Sequence, residues 1–137
     1  MAFDIHGTKF LLLARKLGVS FEETAMIGRQ TMLIDSGLLQ KNLAQFGFSL
    51  DQAEAEKLLD EGFAESFLKL LGAREIVSFD ASDFEKPTFV HDFNQPISER
   101  FKNRFSVVID GGTLEHVFNF PTAIKNCMEM VKTGGYF

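Results

Sequence analysis

Apolar positions in HGTKFLLLARKLGV recur at Phe10, Leu13, Ala14 and Leu17, the spacing of one helix face, and Gly18 supplies a stop, so the pattern predicts a first helix over 6–17. TAMIG is a short apolar run ended by Gly28, and MLIDSGLLQKNLAQFGF then resumes helical spacing with Gly47 as its C-cap. The order is strand, turn at Gly28-Arg29-Gln30, helix. Ser49 with Gln52 three residues later has the arrangement of a capping box, which predicts a further helix around Ser49 to Leu59. GFAESFLKLLGA keeps the helical period, with Phe63, Phe67, Leu70 and Leu71 on one face and Gly72 at the end.

After Gly72 the period changes. REIVSFDAS is a β-branched and aromatic run closing on Asp80; PTFVHDFN repeats the shape after Pro87 and closes on Asp92; RFSVVID does so again and closes on Asp110. FPTAIKNCMEMVKTGG then reads as a helix with Pro121 in its first turn and a Gly-Gly exit. Strands that are continuously apolar rather than alternating belong to a sheet covered on both faces, and the interleaved helices supply the cover. The expected fold is α/β, a doubly wound, mostly parallel open sheet of about four strands with extra N-terminal and inserted helices. One domain spans 1–137, its sheet core running from about residue 24 to the end. No repeat or low-complexity tract interrupts it, and DASDFEKP is the most loop-like piece.

Composition narrows the function. A chain of 137 residues, 45% hydrophobic, is long enough for one buried core and short for two. The 14 basic and 19 acidic residues leave a net charge of −5, with the cations scattered, so nucleic acid is not predicted as a partner. Cys127, the single cysteine, has no disulfide partner within the chain and no zinc-site spacing, and reads as a small buried helix residue. No apolar run approaches the roughly 20 residues that span a bilayer, and MAFDIHGTKF has no signal-peptide pattern, so a cytoplasmic protein without a membrane span is expected. His6 and His91 have no metal-ligand pattern and read as surface or core histidines, with no metal expected.

Three successive strand ends carry aspartate. In doubly wound sheets ligands bind outside the carboxyl ends of the strands. Any one such Asp is equally a turn or cap residue, accepting from nearby amides. Three in succession point to a polar ligand along that edge. Asp80, on the strand after the glycine turn, suits a pair of ribose hydroxyls; Asp92, on the next strand, suits an exocyclic amine, with Phe93 beside it to pack on a base.

The order Asp92, Pro96-Ile97, Phe105 to Asp110, Leu114-Glu115-His116-Val117 and Val131-Lys132-Thr133-Gly134-Gly135 resembles the middle of class I S-adenosylmethionine-dependent methyltransferases, and FDAS at Phe79 to Ser82 extends the likeness. The resemblance implies a Rossmann-like fold and methyl transfer from S-adenosylmethionine to a small-molecule or carbohydrate acceptor. By it, Asp80 is the ribose-binding acid with Ala81 beside the adenine. Asp92 and Phe93 are adenine contacts, Asp110 and Gly111 adjoin the methionine part, and Gly28, Arg29 and Gln30 stand in the place of the glycine-rich first motif.

Here that motif is AMIGRQTML, one glycine with Arg29 and Gln30 where the family has small residues. Arg29 suits a ligand carboxylate or phosphate, and equally a structural salt bridge. Glu115 and His116 suit a general base for a hydroxyl or amine acceptor, or simply the opening turn of a helix. With the single glycine, a methyltransferase-like binding or interaction module without catalysis is the rival function. Relatives continue beyond a Gly-Gly-Tyr-Phe segment into a fifth strand and more. The expectation is therefore a C-terminally incomplete sheet whose fourth strand, FSVVI, is a bare edge through which copies self-associate.

Overall fold

The first three helices of this chain start at carboxylates that take up free amides. In the computed structural model, which describes residues 2–137, Asp4 accepts from the N–H groups of His6 and Gly7 and opens α1 (Ile5–Lys16). The helix stands within a residue of its expected bounds, but its buried face is another one. Thr8, Leu11 and Leu12 are buried, whereas Phe10, Leu13 and Leu17 are exposed. The cause is a polar anchor: Thr8 Oγ1 donates to Asp4 O at 2.9 Å and accepts from Asn42 Nδ2 at 2.9 Å, docking that side of α1 on α2 (Ser36–Gln45).

Ahead of α2, whose cap is Asp35, Thr31–Met32 form β3, which pairs in parallel with β1 (Ala2–Phe3) as a separate two-stranded sheet. The capping box of the inserted helix lies two residues later than Ser49 and Gln52. Asp51 accepts from Glu54 N and Glu54 accepts from Asp51 N, each at 2.8 Å, opening α3 (Gln52–Lys57). A carboxylate pair there outcompetes the Ser/Gln pair because ionised acceptors bond amides more strongly. Next, α4 (Glu65–Leu70) buries Phe67 and Leu68.

The main sheet comprises β2 (Glu23–Ile27), β4 (Glu75–Asp80), β5 (Phe89–Val90), β6 (Phe105–Asp110) and β7 (Val131–Tyr136) in the order β5-β4-β2-β6-β7, all parallel. Its two faces are covered by different helices, the doubly wound, Rossmann-like arrangement. Met26, Val107 and Ile109 share one core with Leu12 of α1, Leu43 of α2 and Phe67 of α4. Ala25, Ile27, Phe79 and Val108 share the other with Ala123, Cys127 and Met130 of α5 (Phe120–Met130). In that second core the ring of Phe79 meets those of Phe89, Phe93, Phe101 and Phe105.

The sheet has five strands where about four are expected, and the fourth strand is not bare. Helix α5 stops at Met130, Val131 turns extended, and VKTGGY becomes β7, pairing Phe105 with Val131 and Val107 with Tyr136 across an irregular register. Side chains fix the switch: Lys132 Nζ donates to Glu23 Oε2 at 2.7 Å and Asn103 Oδ1 accepts from Thr133 N at 3.1 Å. The sheet edge therefore passes from β6 to β7. Among the described residues no helix is long and apolar enough to cross a membrane.

Candidate functional site

Leaving β2 the chain moves toward β4, and leaving β6 it moves toward β7, so the connection direction reverses between these two neighbours. That is the topological switch point, where such sheets form a crevice. Ile27 and Asp110 are in register at its base.

The first wall is the turn after β2. Gly28 has φ +73°, a left-handed conformation that a side chain would strain, and its N–H donates to Phe79 O at 2.6 Å. Arg29 is turned to structural use. Its Nε bonds Glu65 Oε1 at 2.7 Å, Nη1 donates to Glu85 O at 3.0 Å, and its guanidinium lies 3.8 Å from the centre of the Phe63 ring. Gln30 is fully buried. Its Nε2 donates to Ile27 O at 2.8 Å and Gly28 O at 3.3 Å, its main-chain carbonyl accepts from Ala64 N at 2.9 Å, and Oε1 is buried with no hydrogen-bond partner among the described residues.

The second wall is the turn after β6. A Cβ on Gly111 would lie 2.8 Å from Gln30 Cδ and overlap Gln30 Oε1, so any larger residue there would push the glutamine out of this position. Asp110 Oδ1 accepts from Thr113 N at 2.8 Å and Leu114 N at 3.3 Å, holding its own loop, and Thr113 Oγ1 donates across the switch point to Ile27 O at 2.6 Å. The switch-point crevice is thus filled by the chain itself.

Beside it, a cleft of about 250 Å³ opens over the ends of β4 and β5. Asp80, Ala81, Asp92 and Phe93 all line it, together with His91, Asn94, Thr113 and His116. Asp80 Oδ1 accepts from Ser82 N at 3.2 Å. Asp92 lies two residues beyond β5 rather than on it, and its Oδ1 accepts from Asn94 N at 2.9 Å and Asn94 Nδ2 at 2.7 Å. The backbone bond from Asn94, then its side chain, holds the Asp92 carboxyl below the ordinary range. Phe93 is buried, edge-on to Phe79 with ring centres 6.2 Å apart.

Glu115 and His116 do not open a helix. They lie in a 3-10 turn (Leu114–His116), and α5 starts only after the Asn119 cap, with Pro121 in its first turn. Their exposed side chains approach to 3.5 Å, and of the two only His116 lines the cleft. Of the expected site residues, Asp80, Ala81, Asp92, Phe93 and His116 come together, while Gly28, Arg29, Gln30, Asp110, Gly111 and Glu115 do not line the cleft.

Sequence reasoning passed over the asparagines that hold the loop. Asn94 Oδ1 accepts from Asn119 N at 2.8 Å, and the buried Asn126 of α5 accepts from Ile97 N at 2.9 Å while donating to Gln95 O at 2.8 Å. An asparagine among the apolar residues of a helix was the available signal, since a buried amide needs partners. Cys127, one residue on, is fully buried; burial, then the charge of Asp110, pushes its thiol up to about 12. Among the described residues no group of three His, Cys, Asp or Glu is placed to hold a metal ion. The chain matches no protein-family model, no curated protein and no solved structure.

Proposed function

We propose that the chain is a methyltransferase-type domain that binds S-adenosylmethionine by its adenosine half and serves a small-molecule or carbohydrate acceptor. One observation carries the reading: Asp80 at the end of β4 and Asp92 in the loop just beyond β5, successive strands of a parallel sheet, line one cleft next to the switch point. Ionised carboxylates are pure acceptors, which suits ribose hydroxyls at Asp80 and the adenine amine at Asp92. The 250 Å³ cleft is smaller than the about 300–1,000 Å³ of whole small-molecule sites, a size for a nucleoside rather than for the complete cofactor. The tail half of the cofactor does not fit the switch-point crevice as it stands, because Gln30 occupies it.

When bound, the cofactor's sulfonium supplies an activated methyl group. The chain's own contribution is to hold the nucleoside and orient it, with His91 and His116 also on the cleft. Cytoplasmic location belongs to the same proposal, and the lone free thiol at Cys127 agrees with a reducing compartment. The buried Gln30 favours the rival, a binding module of this fold without catalysis.

Calorimetric titration of adenosine, S-adenosylmethionine and S-adenosylhomocysteine tests the reading. Binding that is lost in Asp80→Ala is the expected result; absence of both heat and thermal shift with all three ligands overturns it. Binding without methyl transfer across a panel of hydroxyl and amine acceptors selects the non-catalytic module.

A further inference from the structure

We infer that Gln30 is a specificity-determining plug: it closes the switch-point half of the site, so that ligand recognition rests on the nucleoside half alone. The inference rests on the adenosine reading of the cleft and goes beyond it by assigning what the neighbouring crevice does.

Position is the first ground. Gln30 sits between the turns that follow β2 and β6, the place where a doubly wound sheet offers its crevice, and it is fully buried there. Volume is the second. The carboxamide occupies the space a Cβ on Gly111 would need, so the glycine that could have admitted a ligand admits this side chain instead.

The third ground is chemical. A purely structural glutamine would have both ends of its amide satisfied, since buried polar atoms without partners are costly. Among the described residues the side chain of Gln30 has its Nε2 bonded, to the carbonyls of Ile27 and Gly28, and its Oε1 left over. The Ile27 carbonyl does not depend on it wholly, because it also accepts from Thr113 Oγ1. The closed position is held by donor bonds on one side and weakened by an orphan acceptor on the other. The side chain thereby keeps the crevice closed, and a ligand's tail is left outside it.

The test compares adenosine with S-adenosylhomocysteine on wild type, Gln30→Gly and Gln30→Met, by calorimetry. Wild type binds the two with affinities within a few-fold of each other. Gln30→Gly, which removes the plug, leaves adenosine unchanged and favours S-adenosylhomocysteine by about tenfold or more. Gln30→Met keeps the volume without the amide and keeps the wild-type ratio. A ratio unmoved in Gln30→Gly, or moved toward adenosine, overturns the inference while leaving the cleft reading standing. No adenosine binding to folded wild type removes the cleft reading and the plug with it. Should the variants not fold, the wild-type carboxamide protons of Gln30 answer by NMR. They exchange slowly in the free protein and in both complexes; fast exchange with S-adenosylhomocysteine bound, the sign of a tail that has displaced the side chain, overturns the plug.

Discussion

Cys127 and Asn126 are adjacent on α5 and both are buried, yet they do opposite things. The thiol is held neutral: its value of about 12 in the fold stands against 9.0 for the free group. Below 9.0 both folded and unfolded chains keep the proton. Between 9.0 and about 12 the unfolded chain gives it up first, binds fewer protons, and stability falls as pH rises. Wild type is therefore expected to lose about 2 kcal/mol between pH about 8 and about 10.5 relative to Cys127→Ala, measured by urea unfolding. Parallel pH profiles for the two would remove the thiol from the account. Asn126, by contrast, serves the backbone of residues 95–97, immediately after the loop that carries Asp92. Replacing it with Leu strands Ile97 N–H and leaves Gln95 C=O with His91 Nε2 alone, for a loss of roughly 1–3 kcal/mol, and loosens that loop, so adenosine affinity falls too. Unchanged midpoint and affinity would show that water replaces the amide without consequence. At this scale the strand-end aspartates were legible because their place follows from where an apolar run stops. Gln30 was not, since what it does depends on Gly111, a neighbour only once the sheet has formed.

At the scale of elements, caps decide where helices begin and polar anchors decide how they face. Periodicity found α1, but the buried Thr8–Asn42 contact rotated its docked face away from the stripe of Phe10, Leu13 and Leu17. The inserted helix was legible in kind and displaced in register, because two overlapping capping patterns compete and the one with carboxylates prevails. Asp51→Ala is expected to cost about 1 kcal/mol, which in a chain of this size lowers Tm by roughly 3–5 °C, whereas Ser49→Ala leaves it unchanged. Equal effects in thermal melts would restore the earlier capping box. The last strand was the least legible element, because VKTGGY continues an apolar helix without a proline or a charge run to stop it. Its pairing depends on Glu23, Asn103 and the free edge of β6, all distant in sequence.

Across the whole molecule, the doubly wound sheet could be anticipated because continuous apolar strands alternate with helices, a pattern with few packed solutions. Where its surface stays sticky could not, since that depends on which face each helix turns inward. With β6 paired, that side of the sheet ends at β7, and its irregular pairing with β6 and its Gly134-Gly135 pair make it a poor template for another strand. The apolar exposure lies elsewhere. Phe10, Ala14, Ile109, Tyr136 and Phe137 line a groove of about 390 Å³ between α1 and the β6–β7 side of the sheet, and Leu13 and Leu17 of α1 are also exposed. An exposed patch of this kind on a chain of 137 residues favours association through apolar contact, which strengthens with salt instead of weakening as an ion-paired contact would. Sedimentation velocity of the 137-residue chain is therefore expected to give a concentration-dependent larger species, enhanced by sulfate, and Phe10→Lys with Leu17→Lys to abolish it without lowering Tm, because both side chains already face water. Substitutions in β7 that leave the groove intact have no such effect. A monomer at every concentration would show that the groove is too small to hold a second copy, and association abolished only by changes in β7 would return the contact to the strand edge.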